Sequence, residues 1–173
     1  MVFFKNVTIE PQTVYTVYLD GRSIGNIVSK KSFEDYINVK EEELKIEIHK
    51  KINEIDSYDK LVTVQKELED RFGKISDKLL IYMYEEWFEA LANKLKIKRV
   101  KQTNNTVEIM LDKEITSKID GEKLFLDTLK ISNNFKFGMM GGNLIITLKT
   151  INLEKHFIYY LIDLLFVIDK AKK

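Results

Sequence analysis

The sequence predicts an α+β fold, with antiparallel β hairpins packed against a set of helices and a buried C-terminal helix. Three observations carry this prediction. Two-residue alternation bounded by turn dipeptides occurs in three separate places. Helical periodicity of 3.6 residues fills the stretches between them, and the connections are too short for the crossovers of a parallel sheet.

The first hairpin is predicted from Val14, Tyr15, Val17, Tyr18 and Leu19, with Asp20-Gly21 as the turn and Ser23 to Val28 as the return strand. Pro11, the single proline, marks the entry, since it cannot donate to a central ladder. From Lys31 the pattern becomes helical, opening with a short turn around residues 32–36. In residues 40–55 Leu44, Ile46 and Ile48 alternate like a strand, whereas Leu44, Ile48, Ile52 and Ile55 recur like a helix. Length and the surrounding Glu and Lys decide for helix.

Asp56 or Ser57 can cap a second helix with apolar positions Leu61, Val64, Leu68 and Phe72, stopped by Gly73. Ser76 caps a third, running to about Leu95 with a broad apolar stripe. Strands are expected at 98–102 and 106–111 around Asn104-Asn105, then a helix over 121–131. A last hairpin follows, 135–139 and 143–150 around Gly141-Gly142, and a final helix from an Asn152 cap to about Lys170. The change of pattern places a boundary near residues 29–39, dividing an N-terminal strand arm (1–32) from the main domain (33–173).

Composition narrows function. Hydrophobic residues make up 45% of the 173 and charged residues 32%, enough apolar surface to offset the entropy of ordering. Twenty-eight basic against 27 acidic residues leave a net charge of +1, so no global field draws the chain to nucleic acid or an anionic membrane. Cysteine is absent, which removes disulfides and thiolate chemistry and fits a cytoplasmic location. No signal peptide is expected from the opening residues. The longest apolar run, Phe157 to Ile168, is too short to span a bilayer and reads as a buried helix.

No catalytic constellation can be assembled. His49 and His156 stand apart without a ligand pair, so no metal site is expected. No phosphate-cradling glycine loop is present, and Gly138, Gly141 and Gly142 have the wrong spacing for a dinucleotide fold, so no nucleotide or other cofactor is expected. A basic cluster, Lys94, Lys96, Lys98, Arg99 and Lys101, could touch nucleic acid. Helix C-terminal charge compensation and protection of an edge strand explain it better, and direct DNA contact is not expected.

The stretch Lys66-Glu67-Leu68-Glu69-Asp70-Arg71-Phe72-Gly73 stands out. With Leu61, Val64, Leu68 and Phe72 on the core face, Asp70 lies about 180° and Glu67 about 120° from Leu61 around the helix, so both carboxylates are expected to face water. Spacing alone makes this an amphipathic helix with a solvated acidic face.

The pattern Glu-Leu-x-Asp-Arg-Phe-Gly follows a helix bearing His49-Lys50-Lys51-Ile52 and precedes a long helix ending Leu95-Lys96-Ile97. In this it resembles the C-terminal domain of bacterial transcription-repair coupling factors, over about residues 33–173 and most strongly over 44–111. The sequence departs from the family pattern at Asn38, Lys45, His49 and Ile75-Ser76.

The resemblance implies a non-enzymatic regulatory domain of an ATP-driven DNA translocase. Such a parent removes stalled RNA polymerase and recruits UvrA for nucleotide excision repair. In that family this domain docks on the protein's own N-terminal UvrB-like module and hides its UvrA-binding surface. Glu67 and Asp70 would be the acidic contacts, with Lys66 and Arg71 as secondary ones. The competing reading is a stand-alone protein- or nucleic-acid-binding module using the 94–101 cluster.

Overall fold

The computed structural model describes residues 15–19, 22–27 and 42–173, and side chains from Leu44 onward. It divides into two compact units, a helical one ending at Ala90 and a sheet-bearing one over Leu91–Lys173. The turn expected at 32–36, Pro11 and the Asp20-Gly21 turn lie outside the described residues.

In the first unit β1 (Tyr15–Leu19) pairs antiparallel with β2 (Arg22–Ile27), with a register shift between Val17 and Tyr18. This is the hairpin expected from alternation. Three helices follow: α1 (Glu42–Asn53), α2 (Tyr58–Phe72) and α3 (Asp77–Lys94). On α1, Ile48 and Ile52 are fully buried, which resolves the competing periods in favour of helix.

The four-residue link 54–57 is short enough to fold α2 back beside α1. Ser57 caps α2 by accepting from the Lys60 N–H at 3.3 Å. Ser76 caps α3 through the Leu79 N–H at 3.2 Å. Leu61, Val64 and Leu68 are buried along one stripe of α2, each worth roughly 1.5–3 kcal/mol relative to exposure. The α3 stripe, with Leu79, Met83, Trp87 and Phe88 buried, packs on both neighbours. Tyr82 reaches His49 and Asn53 of α1, and Trp87 meets Tyr58 at the start of α2, ring centroids 5.5 Å apart.

The second unit is built on a four-stranded antiparallel sheet of order β3-β4-β6-β5: β3 (Arg99–Gln102), β4 (Thr106–Leu111), β5 (Phe135–Met140) and β6 (Asn143–Lys149). Register puts Ile109, Ile146 and Phe137 in one row and Val107, Leu148 and Phe135 in the next, forming the apolar face. Two helices were expected here, α5 (Gly121–Ile131) and α6 (Phe157–Lys170). A third, the single turn α4 (Lys113–Ser117), was not. Asp112 caps it by accepting from the Ile115 N–H at 2.8 Å, and its Thr116 Oγ1 accepts from the Leu144 N–H at 3.1 Å.

The last helix starts later than expected. His156 is the cap, accepting from the Ile158 N–H through Nδ1 at 3.2 Å, while Asn152 sits at φ +60 in the preceding loop. Asn is both a good cap and a tolerant left-handed residue, and the chain uses it in the second role. As expected, α6 is buried over most of its circumference: Ile158, Tyr160, Leu161, Ile162, Leu164, Leu165 and Ile168 are all buried. The chain end is tied down, since Asp120 N–H donates to Ala171 O and Lys173 N–H donates to Lys118 O, both at 2.8 Å.

Candidate functional site

The singled-out stretch forms the last two turns of α2 and its stop. Leu68 is its core anchor, 1% exposed, and Phe72 is half-buried beneath the Arg71 guanidinium, 5.2 Å from the ring centroid. Gly73 N–H donates to Glu69 O at 2.9 Å, with φ +81 and ψ −171. That backbone region is open essentially to glycine alone, so the motif glycine is fixed by conformation. No neighbour lies within 4 Å of where a Cβ would stand.

Glu67 does not simply face water, contrary to the expectation. Its carboxylate accepts a hydrogen bond from Lys51 Nζ of α1 and lies 3.9 Å from Arg71, which in turn bonds Glu47 of α1 at 3.1 Å. Lys51 also lies 3.7 Å from Glu47. The pairing of 51 with 67 and 47 with 71 is that of two antiparallel helices. The Lys51 hydrogen bond, reinforced by the charges of Lys51 and Arg71, holds the Glu67 carboxyl below the ordinary glutamate range. Its side chain stays 40% exposed, so the network is a partly solvated clamp. The helical wheel missed it because one helix's periodicity cannot say which neighbour lies along its flank.

Asp70 and Lys66 are different. Both are exposed, on the side of α2 opposite Leu68, and neither has an ion-pair partner among the described residues. The four predicted contact residues thus divide into two groups. Glu67 and Arg71 are committed to the α1–α2 clamp, while Asp70 and Lys66 have no ion-pair partner among the described residues.

Two polar features escaped the sequence reading. His49 is buried between α1 and α3, its Nδ1 paired with the Tyr82 hydroxyl at 3.2 Å, and that hydroxyl donates to Asn53 Oδ1 at 3.3 Å. Burial lowers the His49 pKa to about 4. On α3, burial raises the carboxyls of Glu85 to about 7 and of Glu86 to about 8, the latter also repelled by Glu89 and Glu85. A single histidine on a helix gives no sign of its depth, and Glu85-Glu86 reads like any solvated pair.

Of the basic cluster, Lys94, Lys96, Lys98, Arg99 and Lys101 are all exposed, and Arg99 is paired with Glu108 at 2.8 Å. Among the described residues no group of three His, Cys, Asp or Glu could hold a metal, and no helix is long and apolar enough to cross a membrane. An open cleft between α5 and α6 is lined by residues including Asp127, Lys130, Lys155, Tyr160 and Asp163, but Asp127 is already paired with Lys130 at 2.7 Å.

Fold and site together define an α+β module whose distinctive sequence pattern sets a helix end and presents one uncommitted carboxylate. The chain belongs to the TRCF domain family, that of transcription-repair coupling factors, whose sequence model matches residues 33–122. It is 30% identical over 109 residues to the transcription-repair-coupling factor of Staphylococcus aureus (strain USA300), a match covering 62% of this chain and 9% of that protein. It is also 30% identical over 112 residues to that of Staphylococcus epidermidis, covering 64% and 9%. The matched stretch is therefore a small part of those relatives. In three dimensions it resembles the crystal structure of a C-terminal domain of a transcription-repair coupling factor, with TM-score 0.68 and 23% identity, covering 80% of this chain and 86% of that one. That likeness bears on the fold.

Proposed function

We propose that this chain acts as a docking and regulatory domain of a transcription-repair coupling factor. In this reading it masks the UvrA-binding surface of the protein's own UvrB-like module until stalled RNA polymerase is engaged. The parent is then an ATP-driven DNA translocase of the cytoplasm serving nucleotide excision repair, and this domain contributes binding without catalysis. Family membership supports the setting. The observation that carries the docking role is Asp70, the one acid of the motif that is exposed and has no ion-pair partner among the described residues, while its neighbours Glu67, Leu68, Arg71, Phe72 and Gly73 each have a structural task.

An exposed rim carboxylate suits a contact that must form and release, because it gives orientation and selectivity with little desolvation. An arginine on the UvrB-like module would be its complement. Glu67, already paired with Lys51, would add field more than a separate bond.

The test is UvrA capture by the longer protein, comparing wild type with Asp70→Lys. Repulsion at the docking surface is expected to give constitutive capture, with the melting temperature of the present chain unchanged. Equal capture by both proteins would overturn the docking role. Asp70 alone is the sharper probe, since a change at Glu67 also breaks the α1–α2 clamp.

A further inference from the structure

The two edges of the four-stranded sheet are unequal. The β3 edge has four residues and carries the exposed charges Arg99 and Lys101, the usual protection against a stray strand. The β5 edge has six residues, Phe135-Lys136-Phe137-Gly138-Met139-Met140, in unbroken register with β6 and without a bulge or proline. Met139 is 62% exposed and Gly138 has open space where a side chain would stand.

Asn134 O accepts from the Lys149 N–H at 3.0 Å. Antiparallel alternation then turns the N–H and C=O groups of Phe135, Phe137 and Met139 away from β6, toward the open edge. Beside that edge, Phe125 of α5 stacks edge-on to Phe137 with ring centroids 5.5 Å apart, and Phe125 and Leu129 are 48% and 39% exposed. An apolar strip therefore runs along a row of backbone groups that no described strand pairs.

Charge says what fits there. Residues 91–173 hold fifteen Lys and Arg against nine Asp and Glu. Lys136 lies within β5, and the aliphatic stem of Lys113 lies against Gly142 at the tip of the β5–β6 hairpin. Neither lysine has a carboxylate partner among the described residues. A second copy would bring a second basic edge against the first.

We infer that the β5 edge is a docking site for an extended acidic polypeptide segment, which adds as a fifth strand to Phe135, Phe137 and Met139 and lays alternate apolar side chains on Phe125 and Leu129. Backbone pairing supplies the binding, the apolar strip sets the register, and Lys136 and Lys113 select the charge. This surface uses none of the residues of the docking role above, so the inference stands or falls independently of it.

The probe is a peptide of alternating valine and threonine with two glutamates at each end, titrated into the whole 173-residue chain. Amide NMR shifts are followed at Phe135, Phe137 and Met139. A single added strand buries a small area, so a dissociation constant of about 0.1–1 mM is expected. Replacing the glutamates by lysines should weaken binding about tenfold.

Met139→Pro removes an outward N–H without touching the β6 ladder and should weaken binding about tenfold or more, while Met139→Ala should change it less than about threefold. If Met139→Pro fails to fold, Phe125→Glu, at an exposed position, takes its place with the same expected loss. Absence of shifts at those amides up to about 1 mM peptide, or equal binding of the lysine peptide, would overturn the inference. So would concentration-dependent self-association that is lost in Met139→Pro, because it would make a second copy the occupant.

Discussion

Residues 42–90 carry thirteen Asp and Glu against eight Lys and Arg, whereas residues 91–173 carry nine against fifteen. The net charge of +1 averages an acidic helical region with a basic sheet region. A total charge near zero excludes a uniform field but is compatible with two opposed ones. The regions also hold together differently. The helical one adds polar ties to its apolar stripes: the Glu47-Lys51-Glu67-Arg71 clamp and the His49-Tyr82-Asn53 chain. The sheet one relies on apolar rows and a helix buried on most sides. Acid, alkali and single charge reversals should therefore perturb the first region more, and loss of apolar mass the second.

The largest effect is expected from ending the chain before Asn152. This removes α6 with its seven buried residues from the core of the sheet-bearing unit, so amide protection of β4 and β6 should vanish. If α1–α3 keep their protection in the same sample, the regions are separate cooperative units. If all protection goes together, the comparison fails.

Next in size are two helix ends, one in each region. Gly73 ends α2 at φ +81, and Gly73→Ala should destabilise by about 1–3 kcal/mol through backbone strain alone. Lys96 follows α3 at φ +56, a left-handed conformation that glycine enters without a Cβ penalty. Ile97 N–H donates to Ala92 O at 2.9 Å across it. Lys96→Gly should therefore stabilise by about 1 kcal/mol, partly offset by the freer unfolded chain. Thermal melts of the two variants check both signs, and a destabilised Lys96→Gly would mean that the lysine does work at that helix end beyond occupying the turn.

The pH response should single out the helical region. Glu85 and Glu86 hold protons in the folded state up to about 7 and about 8 that the unfolded chain releases near 4.5, so stability falls as pH rises through that window. His49 works in the opposite sense. The unfolded chain protonates it near 6.5 and the folded one only near 4, so stability falls as pH drops between those values. A higher melting temperature at pH 6 than at pH 8 is expected, with the difference abolished in Glu85→Gln/Glu86→Gln. Equal melting of the wild type at the two pH values would show that these carboxyls are solvated after all.

The smallest stability effect is at Asp70, where reversal to Lys should change stability by less than about 0.5 kcal/mol. Glu67→Lys, which sets a third cation beside Lys51 and Arg71, should lower the melting temperature measurably. Equal melts for the two reversals would remove the distinction between clamp and free face.

The sequence by itself determined the α+β class, the order of the main elements, a cap at Asp56 or Ser57 and another at Ser76, the burial of α6 and the resemblance carried by the α2 motif. Each of these depends on short-range patterns: alternation against 3.6-residue periodicity, a side chain that can accept from N–H groups three residues on, and a run too apolar to face water. Only the tertiary structure decided that Glu67 belongs to α1 as much as to α2, that His49 is buried, that His156 and not Asn152 starts α6, and that β5 lies at an edge of the sheet. Those outcomes depend on which element comes to lie beside which. A helical wheel or a strand alternation gives a residue's direction from its own axis, and the neighbour met in that direction is set by packing over distances the local pattern does not encode.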